Sequence, residues 1–211
     1  MHSPGHDIVV IGASAGGVEA LTQLAGGLPA GLPAALFVVC HFPADHRSRL
    51  PEILSRSGPL LAVHARDGEP AYPGQLYIAP PDHHLLLEDG RMSVTHGPRE
   101  NQHRPAIDAL FRSAARAFGP RVIGIVLTGA SSDGVAGLLA IRAARGIAIV
   151  QEQSDAVVPT LPRNALEIAG ADYVIPAAAL APLLVELVHR AVPDERVRPP
   201  GFDVPVVEAP V

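Results

Sequence analysis

A serine, a histidine and an aspartate, each just beyond an apolar run, are the residues of this chain whose types and spacing could do chemistry. Ser14 lies in Gly12-Ala13-Ser14-Ala15-Gly16-Gly17, His41 follows Ala35–Cys40, and Asp133 sits in the loop Thr128–Gly134. A serine hydroxyl is a poor nucleophile at neutral pH. It needs a base within hydrogen-bond reach and a third group that fixes the tautomer of that base. Ser14, His41 and Asp133 supply the hydroxyl, imidazole and carboxylate of a serine hydrolase. Ser14 also stands just ahead of a helical pattern, where the backbone N–H groups of Ala15 and Gly16 and the positive end of the helix dipole can stabilise a developing oxyanion. Gly16 and Gly17 leave that approach open. Each residue alone has a plainer reading: Ser14 and Asp133 as helix caps, His41 as an incidental strand-end histidine. Their coincidence on three strand ends is what favours catalysis.

The elements that must position them alternate between strand-length apolar runs and segments of helical period. That is the pattern of an α/β fold, a doubly wound and mostly parallel sheet with helices on both faces in a three-layer sandwich. Strands are predicted at Asp7–Ile11, Ala35–Cys40, Leu60–Val63, Gln75–Ala79, Arg121–Leu127, Ile147–Val150 and Tyr173–Ile175. Helices are predicted from Gly17 to Ala25, stopped by Gly26-Gly27, and at His46–Arg56. Others are predicted from Pro105 as the first residue to Ala117, after Gly134, near Arg163–Ala169 and at Ala178–Ala191. Leu85-Leu86-Leu87 and Met92-Ser93-Val94 flank Glu88-Asp89-Gly90-Arg91, an Asp-Gly turn signal, so an antiparallel hairpin should decorate the main sheet. In a parallel sheet the loops after the strands' C-terminal ends gather at one edge, which brings the three candidate loops together.

The bulk numbers agree with one such domain. At 211 residues the chain can bury one sizeable core, and its 48% hydrophobic but only 4% aromatic composition requires a core of Ala, Val, Leu and Ile. Net charge is -5 with the basic residues scattered, which argues against a nucleic-acid partner. One cysteine, Cys40, excludes an internal disulfide and fits a reducing compartment. No basic n-region precedes the first apolar run and no stretch is long enough to span a membrane, so a cytoplasmic protein is expected. The expected domain is 1–192, followed by a proline-rich, disordered tail over 193–211.

Beyond the triad, several segments stand in a familiar order: Ile11–Gly17, His41-Phe42-Pro43, Pro73–Pro80, Arg104–Phe111, Leu127-Thr128-Gly129 with Asp133-Gly134, and Leu161–Ala165. Over nearly the whole chain before the tail, the sequence resembles the catalytic domain of the chemotaxis protein-glutamate methylesterases, the CheB-type family. The resemblance implies Ser14 as nucleophile, His41 as general base and Asp133 as its orienting carboxylate. It implies hydrolysis of a glutamate methyl ester on the cytoplasmic region of a methyl-accepting receptor, with glutamine deamidation also possible, and no metal or organic cofactor. The sequence departs from the family pattern in three places. The first catalytic strand begins at Asp7 without the usual receiver domain, which implies a stand-alone form and a separate receiver protein as a partner. The loop Gly129-Ala130-Ser131-Ser132-Asp133-Gly134 replaces the usual Gly-Met-Gly-x-Asp-Gly, where the backbone N–H of Ala130 can still serve as an oxyanion donor beside those of Ala15 and Gly16. Position 15 is alanine where many members have threonine. Arg104, with Arg47 and Arg49, is a candidate for receiving an acidic substrate surface.

Other classes fit less well. The glycines at 12, 16 and 17 do not space as G-x-G-x-x-G, and the second strand ends in Cys40-His41 rather than an acidic residue, against a dinucleotide site. The ten histidines lack His-x-x-x-His helix spacing, against a metallohydrolase. Strand alternation points Cys40 away from His41, against a thiol dyad. A non-catalytic or redirected signalling adaptor of the same fold stays open, on the strength of the altered loop.

Overall fold

The structure is a computed structural model, and it describes residues 5–41, 48–88 and 90–192. Seven strands form one sheet in the order β3-β4-β2-β1-β7-β8-β9. They are β1 (Ile8–Ala13), β2 (Ala35–Cys40), β3 (Leu61–His64), β4 (Gln75–Ile78), β7 (Val122–Val126), β8 (Ile147–Gln151) and β9 (Tyr173–Ile175). Every neighbouring pair in this sheet is parallel. The central strands β1, β2 and β7 are buried at every residue, which is why they read as continuous apolar runs rather than as alternating ones.

Six helices cover the two faces: α1 (Gly17–Gly27), α2 (Leu50–Ser57), α3 (Ile107–Phe118), α4 (Val135–Ala143), α5 (Thr160–Ile168) and α6 (Ala177–Val188). One core layer packs Val9, Ile11, Val38 and Cys40 against Leu21 and Leu24 of α1, Leu50 and Leu54 of α2, and Leu180 and Leu184 of α6. The other packs Val10, Phe37 and Val39 against Phe111 of α3, Leu138 of α4 and Leu161 of α5. The three-layer α/β sandwich is thus as the alternation predicted.

Several boundaries differ for identifiable reasons. Gly26-Gly27 does not stop α1 but belongs to it. A Cβ at Gly26 would lie 3.0 Å from the Ser57 carbonyl oxygen and one at Gly27 would lie 2.7 Å from the Ala181 Cβ, so these glycines let α2 and α6 approach closely. The predicted helix from His46 begins only at Leu50; positions 46 and 47 lie outside the described residues. α3 starts at Ile107, not at Pro105: Ala106 is extended, and its N–H donates to His84 Nδ1 (3.2 Å). α5 starts earlier than predicted, with Pro162 in its first turn where a missing N–H costs little. α6 ends at Val188, and beyond it Ala191 bridges to Gly5.

The hairpin, β5 (His84–Glu88) with β6 (Arg91–Thr95), is antiparallel as expected but forms its own two-stranded sheet. It packs on α3 instead of extending the main sheet, and the Leu87 N–H donates to Ser113 Oγ (3.0 Å). The tail from Pro193 onwards lies outside the described residues. Among the described residues no helix is long and apolar enough to cross a membrane.

Candidate active site

Parallel pairing of β1 with β2 puts Ala13 opposite Cys40, so Ser14 and His41 leave adjacent strands at the same level. The His41 N–H donates to the Ala13 carbonyl (3.1 Å), and the Ser14 N–H donates to the Thr128 carbonyl beyond β7 (3.0 Å). Ser14 is therefore held between the ends of the two strands flanking β1. The turn closes with the Gly17 N–H donating to the Ser14 carbonyl (2.9 Å), and Gly16 takes the left-handed conformation (φ 78°) that a side chain would resist. Thr128 Oγ1 ties this turn down by donating to the Ala15 carbonyl (2.9 Å) while accepting from the Val158 N–H (2.8 Å). Gly129 lets the neighbouring loop pass: a Cβ there would lie 2.8 Å from the Ser14 Cβ.

Asp133 meets His41 across this edge. His41 Nε2 lies 3.0 Å from Asp133 Oδ2, with the imidazole side chain 8% exposed and the carboxylate fully buried. His41 Nδ1 is also buried and makes no hydrogen bond among the described residues. An imidazole whose Nε2–H is held by a carboxylate presents Nδ1 as a free lone pair, which is what a general base requires.

The Asp133 carboxylate accepts three further hydrogen bonds. The Ile107 N–H reaches Oδ2 (2.7 Å), while the Asp108 N–H (3.1 Å) and Asn101 Nδ2 (2.9 Å) reach Oδ1. Burial alone would raise its pKa, but the bonds from His41, Asn101, Ile107 and Asp108 together hold the carboxyl below the usual carboxylate range. Asp108, buried alongside, is pushed up chiefly by burial, against the Gly137 N–H that steadies its charged form. His103 stacks flat on His41, the ring centroids 3.7 Å apart and the planes within 9°. Burial, with His41 next to it, lowers the His103 pKa and favours its neutral form.

The expected oxyanion donors lie at the same edge. Ala15 and Ala130 are exposed, Gly16 is half-buried, and their backbone N–H groups find no acceptor among the described residues. Arg104 is disposed differently from the sequence expectation. Its guanidinium donates to Asp82 Oδ1 (3.0 and 2.8 Å) and to the Gly97 carbonyl (2.8 Å), so it braces the segment before α3 rather than standing free for a substrate. Arg47 lies outside the described residues, and Arg49 caps α2. Cys40 points into the α1 layer, where burial pushes its thiol up to about 12. Among the described residues no group of three or more His, Cys, Asp or Glu side chains could hold a metal ion.

A cleft of about 550 Å³ opens beside the pair, lined by His103, Ser131, Asp133, Leu139 and Ile168. A larger groove, about 780 Å³, runs along β3 and β4 past His64 and Tyr72. Its serine, Ser55, is committed to the backbone of Ala62 at both donor and acceptor.

The family model described as CheB methylesterase matches residues 9–184. The chain belongs to the CheB methylesterase family. The crystal structure of the Thermotoga maritima CheB methylesterase catalytic domain superposes with a TM-score of 0.82 at 34% identity, covering 86% of this chain and 98% of that one. A relative in Xanthomonas campestris pv. campestris, named protein-glutamate methylesterase/protein-glutamine glutaminase 1, is 37% identical over 188 residues. That match covers 87% of this chain but only 52% of the relative, so the chain spans about half its length. A Leptospira interrogans relative, named a putative protein-glutamate methylesterase/protein-glutamine glutaminase, is 36% identical and is covered over 95% of its length. The CheB resemblance visible in the sequence therefore holds for fold and family alike.

Sequence reasoning did not single out Asn101, His103 or Asp108 for roles of their own. Asp108 stood inside the Arg104–Phe111 segment, but Asn101 and His103 meet their partners only across the fold, and no local spacing announces such contacts.

Proposed function

We propose that this domain is a protein-glutamate methylesterase of the CheB type, with Ser14 as nucleophile, His41 as general base and Asp133 as orienting carboxylate. The observation that carries the reading is the His41–Asp133 pair at 3.0 Å, whose other imidazole nitrogen is buried and has no partner among the described residues, on a strand end adjacent to that of Ser14. His41 Nδ1 takes the Ser14 hydroxyl proton as Oγ forms a bond to the ester carbonyl carbon. The oxyanion is met by the backbone N–H groups of Ala15, Gly16 and Ala130, and the imidazolium by Asp133. Collapse breaks the bond to the methoxy group, which leaves as methanol with the proton from His41. Water, deprotonated by the same nitrogen, then attacks the acyl-serine; the bond to Ser14 Oγ breaks as His41 returns the proton to it, and the glutamate side-chain acid leaves as its carboxylate. A glutamine side chain would react alike, with ammonia as the leaving group. None of these steps calls for a cofactor.

On the same reading the catalytic domain spans 1–192 and works in the cytoplasm on methylated receptor segments, with a separate receiver protein controlling access. A fluorophosphonate probe tests the nucleophile: Ser14 should be labelled, and His41→Ala should slow labelling by a factor of at least ~100. Equal labelling of the two proteins would sink the triad. Methanol release from methylated receptor tests the substrate, and equal release by wild type and Ser14→Ala would overturn the methylesterase assignment.

A further inference from the structure

The turn Glu100–His103 touches both members of the His41–Asp133 pair, yet the mechanism above gives it no part. Its ends are tied by the Glu100 N–H donating to the His103 carbonyl (3.1 Å) and the His103 N–H donating to the Glu100 carbonyl (2.8 Å). Its two central residues, Asn101 (φ 50°) and Gln102 (φ 68°), are both left-handed. Two consecutive positive φ values are the mark of a type I′ turn, a conformation that asparagine tolerates and glutamine adopts rarely. That turn delivers two side chains to the site. Asn101 Nδ2 donates to Asp133 Oδ1 (2.9 Å) and to Asp108 Oδ2 (2.8 Å), and the His103 ring lies on His41.

From this juxtaposition we infer that the Glu100–His103 turn is a positioning element of the catalytic site, Asn101 fixing the rotation of the Asp133 carboxylate and His103 the plane of the His41 ring. The inference rests on the hydrolase reading. Asp133 Oδ2 serves His41 and the Ile107 N–H, so any rotation of the carboxylate would break the bond to the base. Bonds to Oδ1 from Asn101 and the Asp108 N–H oppose that rotation. Among the described residues the imidazole is held by hydrogen bonding at one nitrogen only, which leaves its plane free to swing, and a flat ring stacked on it opposes that swing. Because burial favours neutral His103, the stack brings no second positive charge against the imidazolium formed during reaction. Neither residue need touch the substrate.

The test uses Asn101→Gly, which removes the amide while retaining a residue at ease with positive φ. Two readouts are followed against pH: the Asp133 Cγ chemical shift by carbon-13 NMR and the rate of Ser14 labelling by fluorophosphonate. Asp133 should titrate at higher pH in the variant, and labelling should slow by roughly tenfold or more. His103→Ala should slow labelling to a similar degree, and His103→Phe should recover most of that loss by restoring a flat ring. An unchanged Asp133 titration, a shifted titration with unchanged labelling, or a His103→Phe variant no faster than His103→Ala would overturn the inference. Absence of Ser14 labelling in the wild type would instead remove the hydrolase reading, while the Asp133 titration reports on Asn101 without any turnover.

Discussion

Asp133 and Asp108 exchange helix caps. Asp133, two residues before α4, accepts from the Ile107 and Asp108 N–H groups that open α3, while Asp108, in the first turn of α3, accepts from the Gly134 (3.0 Å) and Gly137 (2.6 Å) N–H groups that open α4. Each carboxylate satisfies donors that an isolated helix would leave unpaired. The negative charges also sit at the favourable ends of two helix dipoles. Asp133 is thereby held by backbone, and so is the distance it keeps from His41.

Removing one cap should be costly. Asp108→Ala strips the partners from the Gly134 and Gly137 N–H groups and from Asn101, and should destabilise the fold by about 3 kcal/mol. Urea unfolding reads this as a lower midpoint at unchanged slope. A change within about 0.5 kcal/mol would show that the exchanged cap is incidental.

Acid should weaken the fold through Asp133. Its folded carboxyl lies below the unfolded value, so the stability it confers is complete above about pH 4 and is lost as pH falls through the lower folded value. Asp108 acts in the opposite sense: its raised folded pKa lets the native state take up that proton first, which offsets part of the loss. Urea unfolding at pH 6 and pH 3 should show a smaller decline in Asp133→Asn than in wild type. Equal declines would mean that Asp133 does not govern the acid limb.

Crowding Ser14 should cost activity more than stability. Gly129→Ala places a Cβ 2.8 Å from the Ser14 Cβ and 2.9 Å from Leu161 Cδ2, so Ser14 must move. A displacement approaching 1 Å is expected to slow Ser14 labelling by about 100-fold. Thermal unfolding of the same variant, compared with its labelling rate, separates misplacement from unfolding.

Cys40 should be a bystander. Its thiol is buried in the α1 layer and pushed up to about 12, so native protein should resist iodoacetamide at pH 8 and react only when unfolded. Cys40→Ala should label at Ser14 as fast as wild type. A large loss would return the thiol to consideration.

The legible and illegible parts of this molecule divide along a physical line. β2 was readable residue for residue, because a strand buried on both faces must be a short apolar run. The placement of Ser14, His41 and Asp133 at one edge was readable because strand ends converge there in a parallel sheet. The Gly26-Gly27 pair misled, since a glycine that ends a helix and one that admits a neighbouring helix look alike in one dimension. The tie of Arg104 to Asp82 was illegible for a related reason: an arginine bound within the fold has the same sequence signature as a free one. Asn101 and His103 gave no signal, as their roles exist only once α3 has been docked against β1 and β2.

The exchanged caps bear on how loss of function in this fold would look. Replacing Ser14 removes a hydroxyl from a half-buried turn and leaves both helix starts intact, whereas replacing Asp133 uncaps α3. On the hydrolase reading, a descendant that abandoned catalysis could shed its serine without disturbing either helix start and would still be obliged to keep the aspartate. On that reading the aspartate is a signature of architecture, and Ser14 rather than Asp133 would tell a working enzyme from its silent copy.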